Sequence, residues 1–164
     1  MKLAVVLLNW NGKALLERFL PAVVAHSKEA ELWVIDNAST DDSCAFLDEH
    51  YPHVKQVVLN ENYGFAKGYN EGLKQIDADL YCLPNNDVAP TKDWLTPIIE
   101  AFESNNTDIA QPKILSHTSP KYFDYAGAAG GFIDRYGFPY CRGRLFNHLE
   151  TDQQQYTHSD CFWA

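Results

Sequence analysis

Short apolar runs alternate with segments of helical spacing along the first 115 residues of the chain. The first run, 3–8, shows no polar alternation, as expected of a strand buried on both faces of a sheet. Alternation of strands and helices at this spacing predicts an α/β fold with a doubly wound, mostly parallel sheet flanked by helices. The predicted strands are 3–8, 31–36, 54–59, 79–83 and a run at 108–115 broken by Pro112, and the predicted helices are 12–27 (with a kink or break at Pro21), 39–51, 64–76 and 91–104.

Right-handed crossovers bring the carboxyl ends of parallel strands to one edge of a sheet, and ligands bind outside that edge. We therefore look for functional residues directly after each predicted strand. These segments are 9–12, 36–41, 60–64 and 84–87, and all of them are polar.

Beyond residue 115 the pattern changes, and the chain becomes rich in glycine and aromatic residues. We predict that residues 1–115 form the α/β region and that 116–164 form an irregular excursion, either a hairpin or a loop that covers the sheet edge, within one domain overall. Because the chain ends in the apolar run "CFWA", we also predict that the natural chain continues past residue 164.

Composition restricts the class of protein. A net charge of −9 argues against broad binding to nucleic acid or to an anionic membrane by this segment, because both partners reward basic surfaces. No apolar run approaches the roughly 20 residues needed to cross a bilayer. The four cysteines form no C-x-x-C pair, so we expect reduced thiols and a cytoplasmic location. The glycine motifs of dinucleotide-binding folds and P-loops and the G-x-S-x-G motif of α/β-hydrolases are absent from the sequence.

The segment "VIDNASTDDS" carries the first candidate residues. Asp36 closes an apolar strand, where its carboxylate is able to accept hydrogen bonds from a ribose hydroxyl or a base N–H. Ser39 and the residues up to Asp42 either contribute to a ligand site or cap the next helix, because Ser, Thr and Asp commonly do the latter.

The segment "NYGFAKGYNEG" places Gly64, Gly68 and Gly72 at intervals of four residues. On a helix these glycines share one side and allow the close approach either of a ligand or of the sheet beneath. Asn70 lies on a neighbouring face, from which it is able to hydrogen-bond outward.

The segment "LPNNDV" ends an apolar strand in Asn85, Asn86 and Asp87. Carboxylate and amide oxygens form a hard ligand set of the kind that suits Mg²⁺ or Mn²⁺, which take their remaining ligands from substrate phosphates and water. The alternative is an Asx turn that simply ends the strand.

Together, "VVLLNWNG", "VIDNASTDDS", "NYGFAKGYNEG" and "LPNNDV", in this order, resemble family 2 glycosyltransferases of the GT-A fold. The rhamnosyltransferase-like bacterial subgroup is the most similar. The resemblance covers residues 3–115 well. Residues 116–164 resemble the acceptor-side region of the family only loosely.

The resemblance implies a role for each motif. Asp36 takes the position that binds the nucleotide base. The D-x-D motif, which binds the donor diphosphate through Mg²⁺ or Mn²⁺, reads Asn85-Asn86-Asp87 here, so Asp87 takes the metal position and Asn85 lies near the ribose or the sugar. The predicted donor-binding residues are Asn9, Asp36, Ser39, Gly64, Asn70, Asn85 and Asn86.

The implied reaction moves a sugar from a nucleoside diphosphate-sugar donor to an acceptor hydroxyl with inversion, in bacterial glycan synthesis. The acceptor is expected to be a glycan or a lipid-linked molecule. The general base belongs to a later family motif, which we expect beyond Ala164; Asp134, Asp152 and Asp160 lack suitable surroundings. Peripheral membrane association is expected to depend on residues outside this chain.

Two other classes remain open from the sequence. A nucleotidyltransferase shares the sheet and the metal–diphosphate chemistry, but normally has a Gly-rich basic loop after the first strand, where "NWNGKALLERF" offers one glycine and one lysine. A non-catalytic nucleotide-sugar-binding module is the second alternative, because these residues include no assigned base.

Overall fold

A computed structural model describes residues 1–104, 107–124, 128–156 and 161 of the chain. It divides into two compact units, Met1–Thr96 and Pro97–Ala164. Within the described residues, no helix has both the length and the apolar character required to span a bilayer.

The first unit is built on a parallel sheet with the strand order β3-β2-β1-β4. The two central strands are almost entirely buried, which explains their continuous apolar sequences. The strands are β1 (Leu3–Asn9), β2 (Glu31–Asp36), β3 (Lys55–Val58) and β4 (Leu80–Cys82). The predicted α/β fold with a parallel sheet flanked by helices is therefore confirmed.

Helices connect these strands, as the alternation predicts. They are α1 (Lys13–His26), α2 (Ser43–His50) and α3 (Gly64–Leu73), and α4 (Thr96–Ser104) begins at the end of the first unit. Of the kink or break predicted at Pro21, the break does not occur, since α1 continues through this residue, and the kink stays a prediction. Pro21 is exposed, so water is able to satisfy the carbonyl group that a proline leaves unpaired.

Two predicted elements differ from the structure. Helix α4 begins at Thr96 rather than at residue 91, whereas helix α2 begins at Ser43, directly after the predicted cap residues 39–42. The run 108–115 forms no strand; in this described segment only Leu115 makes an isolated bridge, to Phe123. Pro112 cannot donate a ladder hydrogen bond and Ile109 is exposed, so neither residue supports a central strand.

One hydrophobic cluster of the first unit lies between α3 and the sheet, and further core residues lie on α1. Gly72 allows this close packing, because a Cβ atom there would meet the side chain of Ile35 at 2.4 Å. The buried cluster consists of Ala4, Val6, Ile35, Val57, Leu59, Tyr69 and Ile76.

The second unit contains an antiparallel meander with the strand order β5-β6-β7-β8. Its strands are β5 (Gly131–Ile133), β6 (Pro139–Cys141), β7 (Arg144–Leu145) and β8 (His148–Leu149). Phe123 is buried against Gly143, whose φ of +86° and contact with this ring both require glycine. These short hairpins lie in the Gly- and aromatic-rich part of the chain, and the division of the chain at residue 115 stays a prediction.

Candidate functional site

Asn9 and Asp36 lie side by side at the carboxyl ends of the two central strands. They are direct register partners in the parallel ladder between β1 and β2. The backbone continues the pairing beyond the strands, because the Asn37 N–H donates to the Asn9 carbonyl at 2.8 Å and the Leu59 N–H donates to the Asp36 carbonyl at 2.8 Å. This ladder fixes the starting points of the loops that follow.

The Asp36 carboxylate is only 1% exposed, and polar groups surround it. Asn9 Nδ2 donates to Oδ2 at 3.2 Å, and the Ser39 N–H donates to Oδ1 at 2.8 Å. In this structure Asp36 therefore holds the loop after β2 against the end of β1. Its predicted contact with a nucleotide base stays a prediction.

The side chain of Asn9 joins the loops after β1, β2 and β4. Its Nδ2 donates to Asp36 and, at 3.3 Å, to Ser39 Oγ, while its Oδ1 accepts from Asn86 Nδ2 at 3.2 Å. Asn9 is fully buried, so these partners replace water. We call the hydrogen-bonded side chains of Asn9, Asp36, Ser39 and Asn86 the edge network.

Gly12 makes room for the edge network. A Cβ atom at this position would lie 2.3 Å from Asn9 Oδ1 and 2.8 Å from Asn86 Nδ2. Both distances are shorter than any normal contact, so a larger residue must displace at least one of these amides. The sequence analysis did not select Gly12, although the Asn11-Gly12 pair is a recognisable turn signal.

Asn11 connects the loop after β1 to the loop after β2. It adopts a φ of 49°, and its Oδ1 accepts hydrogen bonds from the N–H groups of Thr40, at 2.7 Å, and Asp41, at 3.3 Å. Its own N–H donates to Ser39 Oγ at 2.9 Å. Ser39 therefore bonds to the β1 loop rather than capping α2, whose N-cap Asp42 makes no side-chain cap bond.

Asn37 organises the loop before α3 and was also missed by the sequence analysis. It is buried, and its Nδ2 donates to Asn62 Oδ1 at 2.9 Å and to the Gly64 carbonyl at 3.0 Å, while its Oδ1 accepts from the Tyr63 N–H at 3.0 Å. The only sequence signal was its position next to Asp36. Several short polar residues in a row do not reveal which one turns inward.

The glycines of α3 divide into two kinds. Gly64 is exposed, has a φ of +73° and has no atom within 4 Å of an added Cβ, so the backbone conformation alone requires glycine there. Gly68 and Gly72 instead pack against Asn37 and Ile35, which supports the packing interpretation for these two. Among the described side chains, Asn70 is exposed on α3 and does not belong to the edge network.

The segment after β4 combines one anchored amide with exposed polar groups. Asn86 is half-buried through its bond to Asn9, whereas Asn85 and Asp87 are exposed. The Tyr69 hydroxyl donates to the Pro84 carbonyl at 3.3 Å and ties this segment to α3. Burial raises the pKa of Tyr69 to about 12, so the hydroxyl remains a donor at neutral pH.

A divalent cation fits this segment only if its ligand set is completed by other oxygens. Among the described residues, no group of three or more His, Cys, Asp or Glu side chains is placed to hold a metal. Asp87 offers one exposed carboxylate beside the amide of Asn85. Mg²⁺ and Mn²⁺ accept one or two protein carboxylates when substrate phosphates and water supply the rest.

Cys44 is the thiol nearest to the edge network. Burial and then the negative charge of Asp36 raise the pKa of Cys44 to about 11. The thiol is therefore protonated at neutral pH and is a poor nucleophile.

A groove of about 280 Å³ opens at the end of β3, next to the loop that Asn37 holds. Its lining includes Asn60, Tyr63 and Glu71. A second groove, of about 390 Å³, lies at the opposite ends of the strands around Glu31, His53 and Lys55, and none of the predicted site residues lines it.

The sequence matches the family model described as Glycosyl transferase family 2 over residues 4–163. It is 33% identical over 110 residues to an undecaprenyl-phosphate 4-deoxy-4-formamido-L-arabinose transferase of Proteus mirabilis, covering 62% of this chain and 34% of that protein. It is 27% identical over 108 residues to the uncharacterized glycosyltransferase YfnE of Bacillus subtilis, covering 63% of this chain and 28% of that protein. The chain thus spans about a third of the length of these relatives.

Solved structures show the same fold. S. aureus TarS 1–349 in complex with UDP superimposes with a TM-score of 0.61 at 22% identity, covering 70% of this chain and 36% of that one. The mannosyltransferase PcManGT from Pyrobaculum calidifontis, in complex with GDP-Man and Mn²⁺, superimposes with a TM-score of 0.54 at 20% identity. The match covers 69% of this chain and 33% of that one. The fold is that of GT-A glycosyltransferases, and the match over residues 4–163 shows that the chain belongs to glycosyl transferase family 2.

Proposed function

We propose that this chain binds a nucleoside diphosphate-sugar donor at the carboxyl edge of its parallel sheet, for transfer of the sugar to an acceptor hydroxyl with inversion. The observation that carries the proposal is the hydrogen-bonded connection from Asp36 through Asn9 to Asn86. It holds the predicted base-binding and diphosphate-binding segments in a fixed relation at the edge where α/β sheets bind ligands.

Relatives support a sugar nucleotide as the ligand. TarS 1–349 was solved with UDP and with UDP-GlcNAc, and PcManGT with GDP-Man and Mn²⁺. We therefore propose a donor with a uridine or guanosine diphosphate carrier, bound with Mg²⁺ or Mn²⁺. The resemblance to the rhamnosyltransferase-like subgroup stays a prediction.

The donor is proposed to lie with its base towards the loop after β2 and its diphosphate towards Asp87. Asp36, Ser39 and Gly64 belong to the base side, Asn85 lies near the ribose or the sugar, and Asn86 belongs to the diphosphate side. Because Asp36 is buried in this structure, its contact with the base requires it to give up the hydrogen bond from either the Ser39 N–H or the Asn9 side chain. Asn70, which is exposed on α3, is proposed to contact the donor from the helix side.

Transfer breaks the bond between the sugar C1 and the diphosphate oxygen and forms a bond between C1 and the acceptor oxygen, whose proton passes to a general base. A divalent cation at Asp87 supplies positive charge for the departing diphosphate. We assign no base to a described residue of this chain. A glycan or lipid-linked acceptor in bacterial glycan synthesis, and a cytoplasmic location, stay predictions.

Calorimetric titration with UDP and GDP in the presence of Mn²⁺ tests the donor site. We expect one of the nucleotides to bind at a single site, and Asp87→Ala to weaken this binding roughly tenfold or more, because losing a group around a metal commonly costs that much. Asp77→Ala is the matched control, since Asp77 is an equally exposed aspartate that lies before β4 instead of after it.

Two results would contradict the proposal. One is the absence of nucleotide binding by a sample whose circular dichroism shows a folded α/β chain. The other is equal binding by the Asp87→Ala and Asp77→Ala variants, which would mean that the nucleotide binds away from the segment after β4.

A further inference from the structure

Two turns of the meander carry exposed aromatic side chains at the same end of its sheet. Tyr136 and Phe138, which are 69% and 68% exposed, lie in the turn between β5 and β6, and Phe146, which is 84% exposed, lies in the turn between β7 and β8. In an antiparallel meander the first and third turns lie at one end. Two strand spacings place these turns about 10 Å apart.

The turn between β5 and β6 is rigidly built. Asp134 Oδ1 accepts hydrogen bonds from the N–H groups of Tyr136, at 2.8 Å, and Phe138, at 2.9 Å. Gly137, with a φ of +89°, completes the turn, and the Asp134 N–H donates to the Phe138 carbonyl at 3.0 Å. The two aromatic rings are thus presented to solvent by a fixed backbone.

Phe146 occupies a position that does not favour a bulky residue. It is the first of the two residues between the paired positions Leu145 and His148, and its φ is 51°. Two-residue turns with a positive φ at the first position favour glycine, and a large side chain there is strained. A strained, exposed phenylalanine lowers stability, and such outliers point to a function rather than to folding.

The charge at this end is opposite to that of the chain as a whole. The chain carries −9, yet at this end Arg135 and Arg144 stand against the single aspartate Asp134, and the Arg144 Nε donates to the Phe146 carbonyl at 3.2 Å. Arg142 lies between β6 and β7, at the opposite end of the meander, and packs on the rings of Phe132 and Tyr156. Arg135 follows Asp134 in the first of the two turns and Arg144 begins β7, so both flank the aromatic residues.

We propose that these two turns dock onto an anionic lipid bilayer, with Tyr136, Phe138 and Phe146 inserted at the headgroup level and Arg135 and Arg144 facing the lipid phosphates. Aromatic residues flanked by arginine are the composition that membrane interfaces favour. The inference does not depend on donor binding, and it places membrane association in residues of this chain.

A bilayer suits this surface better than a protein partner does. A stable protein interface buries about 800 Å² on each side, over a broad complementary face. Two narrow turns offer only protruding tips, which a fluid headgroup layer accommodates without a matching shape. The excess of arginine is complementary to anionic lipids, which attract basic residues close to the surface.

Sedimentation with vesicles tests the proposal, using phosphatidylcholine alone and phosphatidylcholine mixed with phosphatidylglycerol. We expect the chain to bind the mixed vesicles, and the triple variant Tyr136→Ser, Phe138→Ser, Phe146→Ser to lose this binding. Phe65→Ser is the control, because Phe65 is an exposed phenylalanine in α3 of the first unit. Each of Arg135→Gln and Arg144→Gln is expected to weaken partition about fivefold, and high salt to weaken it further.

Phe146→Gly separates function from folding, because it should raise the melting temperature of the chain while lowering its partition onto mixed vesicles. Absence of binding by the folded chain, or equal partition of the triple variant and Phe65→Ser, would overturn the proposal. Self-association that the triple variant abolishes, without vesicle binding, would also overturn it and would identify a second copy of the chain as the partner.

Discussion

At the scale of single residues, the candidate site depends on which short polar side chains turn inward. The sequence predicted Asn9, Asp36, Ser39 and Asn86 because each follows an apolar strand. It did not predict that these side chains bond to one another, since that depends on loops more than 25 residues apart in sequence. Asn37 was missed for the same reason, because its partners lie in the loop before α3.

Asn9→Asp tests the edge network, because it replaces only the amide nitrogen of the side chain by an oxygen. The new oxygen would face Asp36 Oδ2 at about the 3.2 Å now spanned by the hydrogen bond. Two carboxylates this close cannot both ionise, so one proton must be retained and the pKa of the pair is raised in the folded state. We expect a loss of about 3 kcal/mol of unfolding free energy at neutral pH, where the unfolded chain carries both charges.

The sign of the pH dependence follows from the raised pKa. Below the ordinary aspartate pKa both states hold the proton and the loss is smallest, and the loss grows as the pH rises towards the raised value of the pair. Urea unfolding at acidic and neutral pH measures the effect. Asn85→Asp is the control because Asn85 is exposed, and a similar loss in both variants would contradict the assignment of Asn9 to a buried network.

At the scale of secondary-structure elements, the hydrophobic pattern predicted the strands of the parallel sheet and the helices between them. It placed cap residues at 39–42, where Asp41 Oδ1 does accept the Ser43 N–H at 3.0 Å, but Ser39 instead bonds to the loop after β1. It also predicted a strand at 108–115, although Pro112 interrupts the run. Long-range bonding decided the role of Ser39, which a local pattern does not contain, whereas Pro112 is a local signal against a central strand.

Gly12, which precedes α1, and Gly72, which packs α3 against the sheet, provide a matched pair of substitutions. Gly12→Ala would force the added Cβ against Asn9 Oδ1 at 2.3 Å, and Gly72→Ala would force it against Ile35 at 2.4 Å. Each neighbour is fully buried and cannot move freely, so each variant should lose about 1–3 kcal/mol of stability. The loss at Gly72 is offset in part by the helix propensity of alanine, which is about 1 kcal/mol better than that of glycine.

Nucleotide binding distinguishes these two variants. Gly12→Ala displaces amides of the edge network and should weaken binding of UDP or GDP, whereas Gly72→Ala disturbs only the packing of α3 on β2. Urea unfolding and calorimetric titration of the folded proteins measure the two effects. Equal nucleotide affinity of the two variants would show that the edge network does not shape the donor site.

At the scale of the whole molecule, an acidic chain is proposed to bind an acidic ligand. The net charge of −9 repels a nucleoside diphosphate, so binding must depend on local groups and on a cation. Composition changes at residue 115, while the sequence boundary between the compact units follows Thr96; the described residues 97–104 and 107–115 join no strand of the parallel sheet. All the predicted site residues belong to the first unit, Met1–Thr96.

A cation site with one protein carboxylate should form only together with the diphosphate. We therefore expect Mn²⁺ alone to leave the melting temperature almost unchanged, and Mn²⁺ with the nucleotide to raise it by more than the sum of the separate effects. A ligand at a concentration of 100 times its Kd adds about 2.7 kcal/mol to the free energy of unfolding. For a chain of this size this raises the melting temperature by roughly 5–10 °C. Thermal unfolding with each ligand, with both and with neither, at constant ionic strength, measures this coupling.

Asp87→Ala should abolish the coupling and Asn85→Asp should increase it, because the latter adds a second carboxylate. A full shift with Mn²⁺ alone would instead require a complete protein site, and would remove the diphosphate from the ligand set.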